Sequence, residues 1–147
     1  MIIKPMTVRD LKTIDFGEVN DISQALGITP RELIASRFSV SLGYTLFTDD
    51  QEVVMIAGVT KMWEGFYETW ILITPLFKCY SKSSIKLIRQ LLKQLAIIGF
   101  NRIQADIDIN MQKNIDFIEH FGFKSEGKMH YFGLNKETYV RYALYGE

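Results

Sequence analysis

Residues 74–87 of this chain, TPLFKCYSKSSIKL, combine three lysines and three serines with no glycine. The stretch follows an Ile- and Leu-rich run typical of a strand and leads into a basic amphipathic helix. At the start of a helix, free backbone N–H groups and the positive end of the helix dipole attract anions. Serine at the same place is also an ordinary N-cap, worth roughly 1 kcal/mol. The stretch therefore predicts either an anion site or a plain helix start at Ser83 or Ser84.

The first half of the chain predicts a strand, two helices and three further strands. The strand IIKPM precedes two helices whose N-terminal signals are Thr7 for the first and Thr29 with Pro30 for the second. We expect these helices to run to Ile14 and to about Phe38. Strand patterns then cover SVSLGYTLF, EVVMIAGVTKMW and TWILIT, separated by the turn sequences TDDQ and EGFY.

The second half predicts helices alternating with strands. SSIKLIRQLLKQLAIIGF places its apolar residues on one helical face, RIQADIDI alternates as a strand, and NIDFIEHFGF is a helix ended by Gly122. MHYFGLN and TYVRYALYG predict a last antiparallel pair. The order β-α-α-β-β-β-α-β-α-β-β predicts an α+β, three-layer fold, with a mixed sheet of about seven strands and helices on both faces. Because no linker or repeat interrupts it, we expect residues 1–147 to form one domain.

The composition excludes several classes of protein. The 17 basic and 17 acidic residues balance, which gives no bulk argument for a nucleic acid or an anionic membrane. A single cysteine excludes an internal disulfide, and His120 and His130 lie too far apart for a helical ligand pair, so no metal site is predicted. The chain shows no membrane-spanning run and no signal-peptide pattern at its N-terminus. We expect a cytoplasmic protein.

The element order and two local patterns resemble the GCN5-related N-acetyltransferases (GNAT) over essentially the whole chain. NIDFIEHFGFKSEG resembles the family's helix that ends in a hydrophobic–Gly–Phe step. WILITP leads into a turn and then into a helix with the pair Leu91 and Leu92. The resemblance implies that an acyl group passes from acetyl-CoA to an amine, so that coenzyme A and an amine acceptor would be the partners.

In that family the turn after the fourth strand usually carries Arg or Gln and then two or three glycines, and it wraps the coenzyme A pyrophosphate. Aligned from Pro75, the basic position falls on Lys78. The glycine positions fall on Cys79, Ser81 and Ser83, so the loop is degenerate. Backbone groups at the end of the fourth strand would polarise the acyl carbonyl. The cofactor-binding residues that the resemblance implies here are Ile73, Thr74, Lys78, Ser81 and Ser83.

The resemblance also points to residues near the second crossover helix. Many family members carry a Tyr four residues before the Gly of the helix-ending step, and this chain has Ile118 there. A proton donor for the leaving thiolate would have to be Tyr131 or Tyr139, of which we select Tyr131. Asn110 and Asn114 flank the position of a family Asn and are assigned to the coenzyme arm, although Asn110 also suits a helix N-cap.

A general base would be a carboxylate that reaches the acceptor amine from the central strands. Glu64 and Glu68 flank the turn before the fourth strand, and Asp106 and Asp108 alternate with isoleucines in the fifth. We select Glu68 as the catalytic base. Nearby aromatic residues suit an acceptor groove, a protein-contact face or the core, and they are Trp63, Phe66, Tyr67 and Trp70.

Two other functional classes remain open. The missing glycines and the missing Tyr also suit a non-catalytic protein with the same fold. Small acetyltransferase-like proteins of tailed bacteriophages, which act in head assembly or inside the virion, have a similarly glycine-poor loop. Such a protein would be a virion component with phage or cellular protein partners. A nucleic-acid-binding module would rest only on the stripe Lys82, Lys86, Arg89 and Lys93, and a net charge of zero argues against it.

Overall fold

The computed structural model describes residues 1–7, 41–133 and 135–146. Apart from Thr7, the two helices predicted between Thr7 and Phe38 lie outside these described residues. The first two positions of the strand predicted for residues 39–47 lie outside them as well.

One mixed sheet holds seven strands in the order β1-β2-β3-β4-β5-β7-β6. The described helices lie between β4 and β6: a 3-10 helix and α1 connect β4 to β5, and α2 follows β5. The strands are β1 Ile2–Pro5, β2 Ser41–Phe47, β3 Val53–Trp63, β4 Phe66–Ile73, β5 Arg102–Asp108, β6 Lys124–Met129 and β7 Tyr139–Tyr145. The helices are the 3-10 helix Pro75–Cys79, α1 Ser81–Ile98 and α2 Gln112–His120.

The connections explain the mixed directions of the strands. β1 to β4 are antiparallel neighbours. The predicted turn at TDDQ is confirmed, whereas in EGFY only Glu64 and Gly65 form the turn, because Phe66 and Tyr67 already belong to β4. The first turn is closed by the N–H of Thr48, which donates to the carbonyl of Glu52 at 2.9 Å. β4 and β5 run parallel, which requires α1 as a crossover, while β5, β7 and β6 return to antiparallel pairing. The predicted α+β mixed sheet is confirmed.

The core lies between one face of the sheet and α1. Leu87, Leu91 and Leu95 recur at helical spacing on the buried side of α1, and each is at most 1% exposed. They belong to one apolar cluster with Leu46 and Met55, which are cross-strand neighbours on β2 and β3. Fully burying such a side chain contributes about 1.5–3 kcal/mol, so this contact stabilises the described part substantially.

Helix α2 covers the same face of the sheet. Its buried residues Ile115 and Ile118 join the same cluster, together with Val140 of β7. The hydroxyl of Tyr142 on β7 donates to the Glu119 carboxylate at 2.9 Å. The pKa of Tyr142 is raised mainly by burial and also by this hydrogen bond. The other two predicted helices lie outside the described residues.

Helix α2 ends as its sequence predicts. Its last residue is His120, and Gly122 follows with φ of +88°, donating its N–H to the Glu119 carbonyl at 3.0 Å. This left-handed conformation favours glycine because a Cβ is strained there.

Strand β4 begins at Phe66, three residues before the predicted TWILIT, and α2 begins at Gln112, two residues before the predicted NIDFIEHFGF. Two further predicted boundaries are wrong in ways that affect the site or the sheet. Helix α1 begins at Ser81, two residues before the predicted start, and its N-cap position is Tyr80. Neither Ser83 nor Ser84 caps it: the Ser84 hydroxyl lies inside the helix and donates back to the Tyr80 carbonyl at 2.9 Å. Pro75 starts a 3-10 helix that leads almost directly into α1, so the chain is already helical where the serines occur.

The second wrong boundary concerns β6, which runs over Lys124–Met129 and not over MHYFGLN. As an edge strand it exposes nearly all of its side chains, so it lacks the apolar alternation that marks a half-buried strand. After Met129, residues 130–133 of the predicted run instead belong to the connection to β7, in which the N–H groups of Phe132 and Gly133 both donate to the Glu137 carbonyl.

Candidate functional site

Strands β4 and β5 separate along their length. Only the first three residues of β4, from Phe66 to Glu68, pair with β5. Beyond them β4 continues to Ile73 while β5 continues to Asp108, and in the described part the two strands share no further ladder pairs. We call the space between the unpaired parts of these two strands, toward their carboxyl ends, the β4–β5 cleft.

The backbone of β4 offers a hydrogen-bond donor to the cleft. The Thr74 N–H donates to the Val54 carbonyl of β3 at 3.1 Å. Because successive N–H groups of an extended strand point in opposite directions, the Ile73 N–H is directed away from β3 and into the cleft. Of the two backbone positions that the sequence suggested, Ile73 faces the cleft and Thr74 faces β3.

Thr74 is an anchor for the turn. Its side chain is buried, and its hydroxyl lies 2.8 Å from the Val54 carbonyl and 2.9 Å from the Val53 carbonyl. Together with its N–H, these contacts fix the end of β4 to β3. The polar groups of Thr74 are therefore already used within the protein.

The turn after β4 is wound and closed. The Phe77 N–H donates to the Thr74 carbonyl at 3.0 Å, and the Tyr80 N–H donates to the Phe77 carbonyl at 3.1 Å. No residue between 74 and 87 has a positive φ. Without glycine the segment adopts the right-handed helical conformation that L-residues prefer, and its backbone donors are consumed in the 3-10 helix.

The side chains of this turn remain accessible. Lys78, Cys79 and Ser81 are exposed, and Ser83 is half-buried. The first helical hydrogen bond of α1 runs from the Ser84 N–H to the Tyr80 carbonyl. The N–H groups before it in the first turn therefore have no intrahelical acceptor, as at any helix start. The turn can bind an anion through Lys78, Ser81 and these N–H groups, but not through an open glycine backbone.

The other wall of the cleft ends in a turn at residues 108–111. The Asn110 N–H donates to the Asp108 carboxylate at 2.9 Å, and α2 starts after Met111. The N-cap position of α2 is therefore Met111, and the prediction that Asn110 is the N-cap is wrong by one residue. The side chains of Asn110 and Asn114 are both exposed at the beginning of α2.

The predicted proton donor lies at the same end of the sheet. Tyr131 is 78% exposed, with φ of +57°, in the β6–β7 connection. This connection is tied to the end of β5, because the Ile109 N–H donates to the Thr138 carbonyl at 3.0 Å. Tyr139, the alternative donor, is the first residue of β7, and its ring lies 5.2 Å from that of Phe132.

Solved structures show which fold has this geometry. No family model matches the sequence, and no curated protein matches it. An Acinetobacter baylyi protein assigned as a candidate acetyltransferase superposes with a TM-score of 0.78 at 14% identity, over 98% of this chain and 92% of its own. A variant of the spermidine N-acetyltransferase SpeG from Vibrio cholerae gives 0.71 at 14% identity, over 98% and 92%. A Streptococcus mutans protein gives 0.74 at 15% identity, over 99% of both chains.

The chain has the GNAT fold. The fold places Ile118, the residue at the family's Tyr position, on the buried side of α2, where it is 7% exposed and packs into the core. An aliphatic side chain cannot donate a proton, so its role in this GNAT fold is packing.

The face of the sheet opposite α1 and α2 carries the predicted base. Side chains of Glu68, Gln104 and Asp106 alternate onto this face of β4 and β5. The Asp106 carboxylate accepts two hydrogen bonds from Arg141, at 2.9 and 3.2 Å. The hydrogen bonds to Asp106 raise the pKa of Arg141, and the charge of Glu68 raises it further. Glu64, in contrast, pairs with Lys61 at 2.7 Å on an exposed turn.

Sequence reasoning missed a polar network at the paired end of β4 and β5. Arg102 donates to Glu126 of β6 and to Gln104, and its guanidinium lies 5.7 Å from the centre of the Phe66 ring. The Tyr145 hydroxyl donates to the same Glu126 carboxylate. The bonds from Arg102 and then Tyr145 lower the pKa of Glu126 to about 2. These residues are 24 and 19 positions apart from Glu126, and only the strand order brings them together.

Two glycines shape the same face. Gly43 and Gly58 are cross-strand partners, and Gly58 is paired in turn with Trp70 of β4. A Cβ on Gly58 would lie 2.3 Å from the Trp70 indole and 2.7 Å from the Leu42 carbonyl. The indole therefore lies directly over the glycine pair. The signal in the sequence was a glycine inside each of two strand patterns, which marks a close approach.

Among the described residues, no group of His, Cys, Asp and Glu side chains could hold a metal ion. In the same part of the chain, neither α-helix has the length and apolar character that crossing a membrane would require.

Proposed function

We propose that the chain is an N-acyltransferase that takes its acyl group from a pantetheine thioester, acetyl-CoA in the simplest case, and passes it to an amine. The observation that carries the proposal is the β4–β5 cleft, with the Ile73 N–H directed into it. An extended pantetheine arm, which has amide groups of its own, suits a gap with a free strand edge on either side. The fold of the solved acetyltransferases supports this use of the cleft.

The residues fit the two ends of the donor unequally. The arm would contact the Ile73 backbone on one side and the amides of Asn110 and Asn114 on the other. The diphosphate would depend on the side chains of Lys78, Ser81 and Ser83 and on the N–H groups at the start of α1, since the backbone donors of the 3-10 helix are used within it. Thr74 would position Ile73 and not bind the donor itself. When bound, the donor supplies an activated acyl carbonyl.

On the acceptor side, we assign Glu68 as the base that removes a proton from the attacking amine. Glu68 lies on the face of the sheet opposite α1 and α2, next to Asp106, whose carboxylate accepts two hydrogen bonds from Arg141. Tyr131 would return a proton to the thiolate, since it is exposed and lies on a loop tied to the end of β5. The Ile73 N–H would stabilise the oxyanion that forms on the carbonyl.

Calorimetric titration with acetyl-CoA and free coenzyme A tests the proposal. We expect binding in the micromolar range, and we expect Lys78→Ala to weaken it by about 1.5–3 kcal/mol at most, the range for a hydrogen bond to a charged group. Lys128→Ala, which removes an equally exposed lysine from β6, is the matched control and should bind like the parent protein. Absence of binding at millimolar concentration would exclude coenzyme A as the donor.

A non-catalytic assembly protein is the second candidate, in line with the phage head-assembly proteins named above. The closed turn and the buried Ile118 favour it, because both remove features that the standard enzymes use. A Cys79→Gly variant that gains coenzyme A binding where the parent has none would support this candidate, and protein partners should then be sought by pull-down. In either case we propose a single domain. We place the enzyme in the cytoplasm and the assembly protein in the virion.

A further inference from the structure

Helix α1 and the turn before it carry an unbroken stripe of positive charge. Between Glu68 and Asp106 the sequence contains no acidic residue. Four cations of α1 follow one another at spacings of four, three and four residues, which places them on one face, opposite the buried leucines. The stripe consists of Lys78, Lys82, Lys86, Arg89 and Lys93, all of them exposed.

This stripe is unfavourable for the helix that carries it. In the described part of the chain, no carboxylate forms an ion pair with any of the five residues. Lys82 lies in the first turn, where the helix dipole disfavours cations, and α1 has no acidic residue there. The pairs Lys82 with Lys86 and Arg89 with Lys93 place like charges at i and i+4, which also destabilises a helix. A solvated face that served only solubility would mix both signs, as the rest of this neutral chain does.

The stripe begins where the β4–β5 cleft opens. Lys78 lies in the 3-10 helix directly after β4, and Lys82 follows in the first turn of α1. The cleft therefore offers an edge for a pantetheine arm, while the turn next to it presents lysines in place of an open glycine backbone that could wrap a diphosphate. A donor with the same arm but a different, strongly acidic head would match both features.

We infer that the stripe docks an acidic acyl-carrier domain, whose thioester-bearing 4′-phosphopantetheine arm enters the β4–β5 cleft. The inference rests on the proposed acyl transfer and specifies its donor. In the step itself the acyl carbon–sulfur bond breaks and a carbon–nitrogen bond to the amine forms. The amine loses one proton to the base, and the carrier thiolate gains one, so that the products are an amide and the free thiol. No oxidant or further reactant is required.

The dimensions of the stripe favour a small acidic protein over a nucleic acid. From Lys82 to Lys93 it spans about 16 Å of helix, at 1.5 Å per residue. That length corresponds to one helix of a small domain lying alongside α1. A nucleic acid is contacted through a longer run of phosphates, and its binding proteins usually carry a net positive charge, whereas this chain is neutral.

The test is a titration with a bacterial acyl carrier protein in its acetylated, holo and apo forms, with acetyl-CoA and a DNA duplex alongside. The stripe variant is Lys82→Glu with Arg89→Glu. Its matched control is Lys124→Glu with Lys128→Glu, which changes the net charge equally on the exposed strand β6. We expect the acetylated carrier to bind the parent protein more tightly than the apo carrier does. The acetylated carrier should bind the stripe variant about tenfold more weakly than the parent protein, and it should bind the control variant like the parent. Binding should weaken as salt rises from about 50 to 300 mM, because these charges are exposed.

The outcomes separate the docking partner from the proposed chemistry. If acetyl-CoA binds and donates its acetyl group while the carrier does neither, the docking inference is overturned and acyl transfer stands. If apo and acetylated carriers bind equally and neither donor acetylates an amine, both the inference and the proposed function are overturned. Tighter binding of the DNA duplex than of the carrier, with the same loss in the stripe variant, would replace the carrier with a nucleic acid.

Discussion

The two ends of the β4–β5 pair differ in their hydrogen bonds and ion pairs. At the closed end, residues 65–68 and 101–104, one carbonyl of Gly65 accepts the N–H groups of both Asn101 and Arg102, at 2.8 and 3.0 Å. The Arg102 guanidinium is paired with Glu126. At the open end, residues 73–83 and 108–111, the two strands are no longer paired. The lysines there form no ion pair with a carboxylate of the described residues.

The difference indicates how the fold divides its tasks. The closed end and the helix packing hold β4 and β5 in place, so the open end can keep a gap without separating the sheet. Unpaired donors and cations at the open end are then available to a ligand. The predictions below test whether stability resides at the first end and binding at the second.

The largest expected effect comes from the core that supports both ends. Leu95→Ala removes a fully buried side chain from α1 near the closed end and should lower the free energy of unfolding by about 2–5 kcal/mol. Ile97→Ala on the same helix is the control, because Ile97 is 71% exposed. Chemical denaturation of both variants measures the difference. Equal losses would mean that α1 does not pack as described.

The turn at the closed end should be the next most sensitive. Gly65 has φ of +82°, and a Cβ there would lie 2.7 Å from the Asn101 side-chain nitrogen. Gly65→Ala should therefore lower the free energy of unfolding by about 1–2 kcal/mol, chiefly through the left-handed backbone. In an Asn101→Ala background the contact disappears and only the backbone strain remains. Thermal denaturation should show a smaller loss in that background, and an identical loss would assign the whole effect to φ.

The network of Glu126 should make stability depend on pH. The pKa of Glu126 falls to about 2 in the folded protein, from 4.5. A lowered pKa stabilises the folded state above the unfolded value, and this contribution is lost as the pH falls from about 4.5 to 2. Since the contact is partly exposed, we expect only about 1 kcal/mol. Glu126→Gln should flatten the stability profile in that interval, whereas Glu52→Gln, on an exposed turn, should leave it unchanged.

The smallest effect has the opposite sign and belongs to the open end. Lys82→Glu puts an acid into the first turn of α1 and creates a Glu–Lys pair with Lys86 at i and i+4. The free energy of unfolding should rise by about 0.5 kcal/mol, measured by denaturation at low salt. Lys82→Gln should give a smaller gain. A loss of stability in the Glu variant would contradict the view that the stripe is kept at a cost to the helix.

Much of the fold follows from local patterns in the sequence. The apolar spacing of α1, the two turns around β3 and the end of α2 at Gly122 are each set by residues close together in the chain, and all are confirmed. The GNAT resemblance directed attention to the backbone at the end of β4, where the β4–β5 cleft lies. For the described residues other than β6, the local patterns therefore determined which segments form helices and strands, and in which order.

The tertiary structure decided the details that depend on distant neighbours. The edge strand β6 has no apolar alternation because nothing covers most of its side chains, so its position came only from pairing with β7. The Arg102 network and the Trp70 contact with Gly58 join residues from different strands, and no short window of sequence contains them. The orientation of Ile73 toward the cleft and of Thr74 toward β3 was likewise settled by pairing with β3. A backbone group's direction depends on the strand beside it and not on its own side chain.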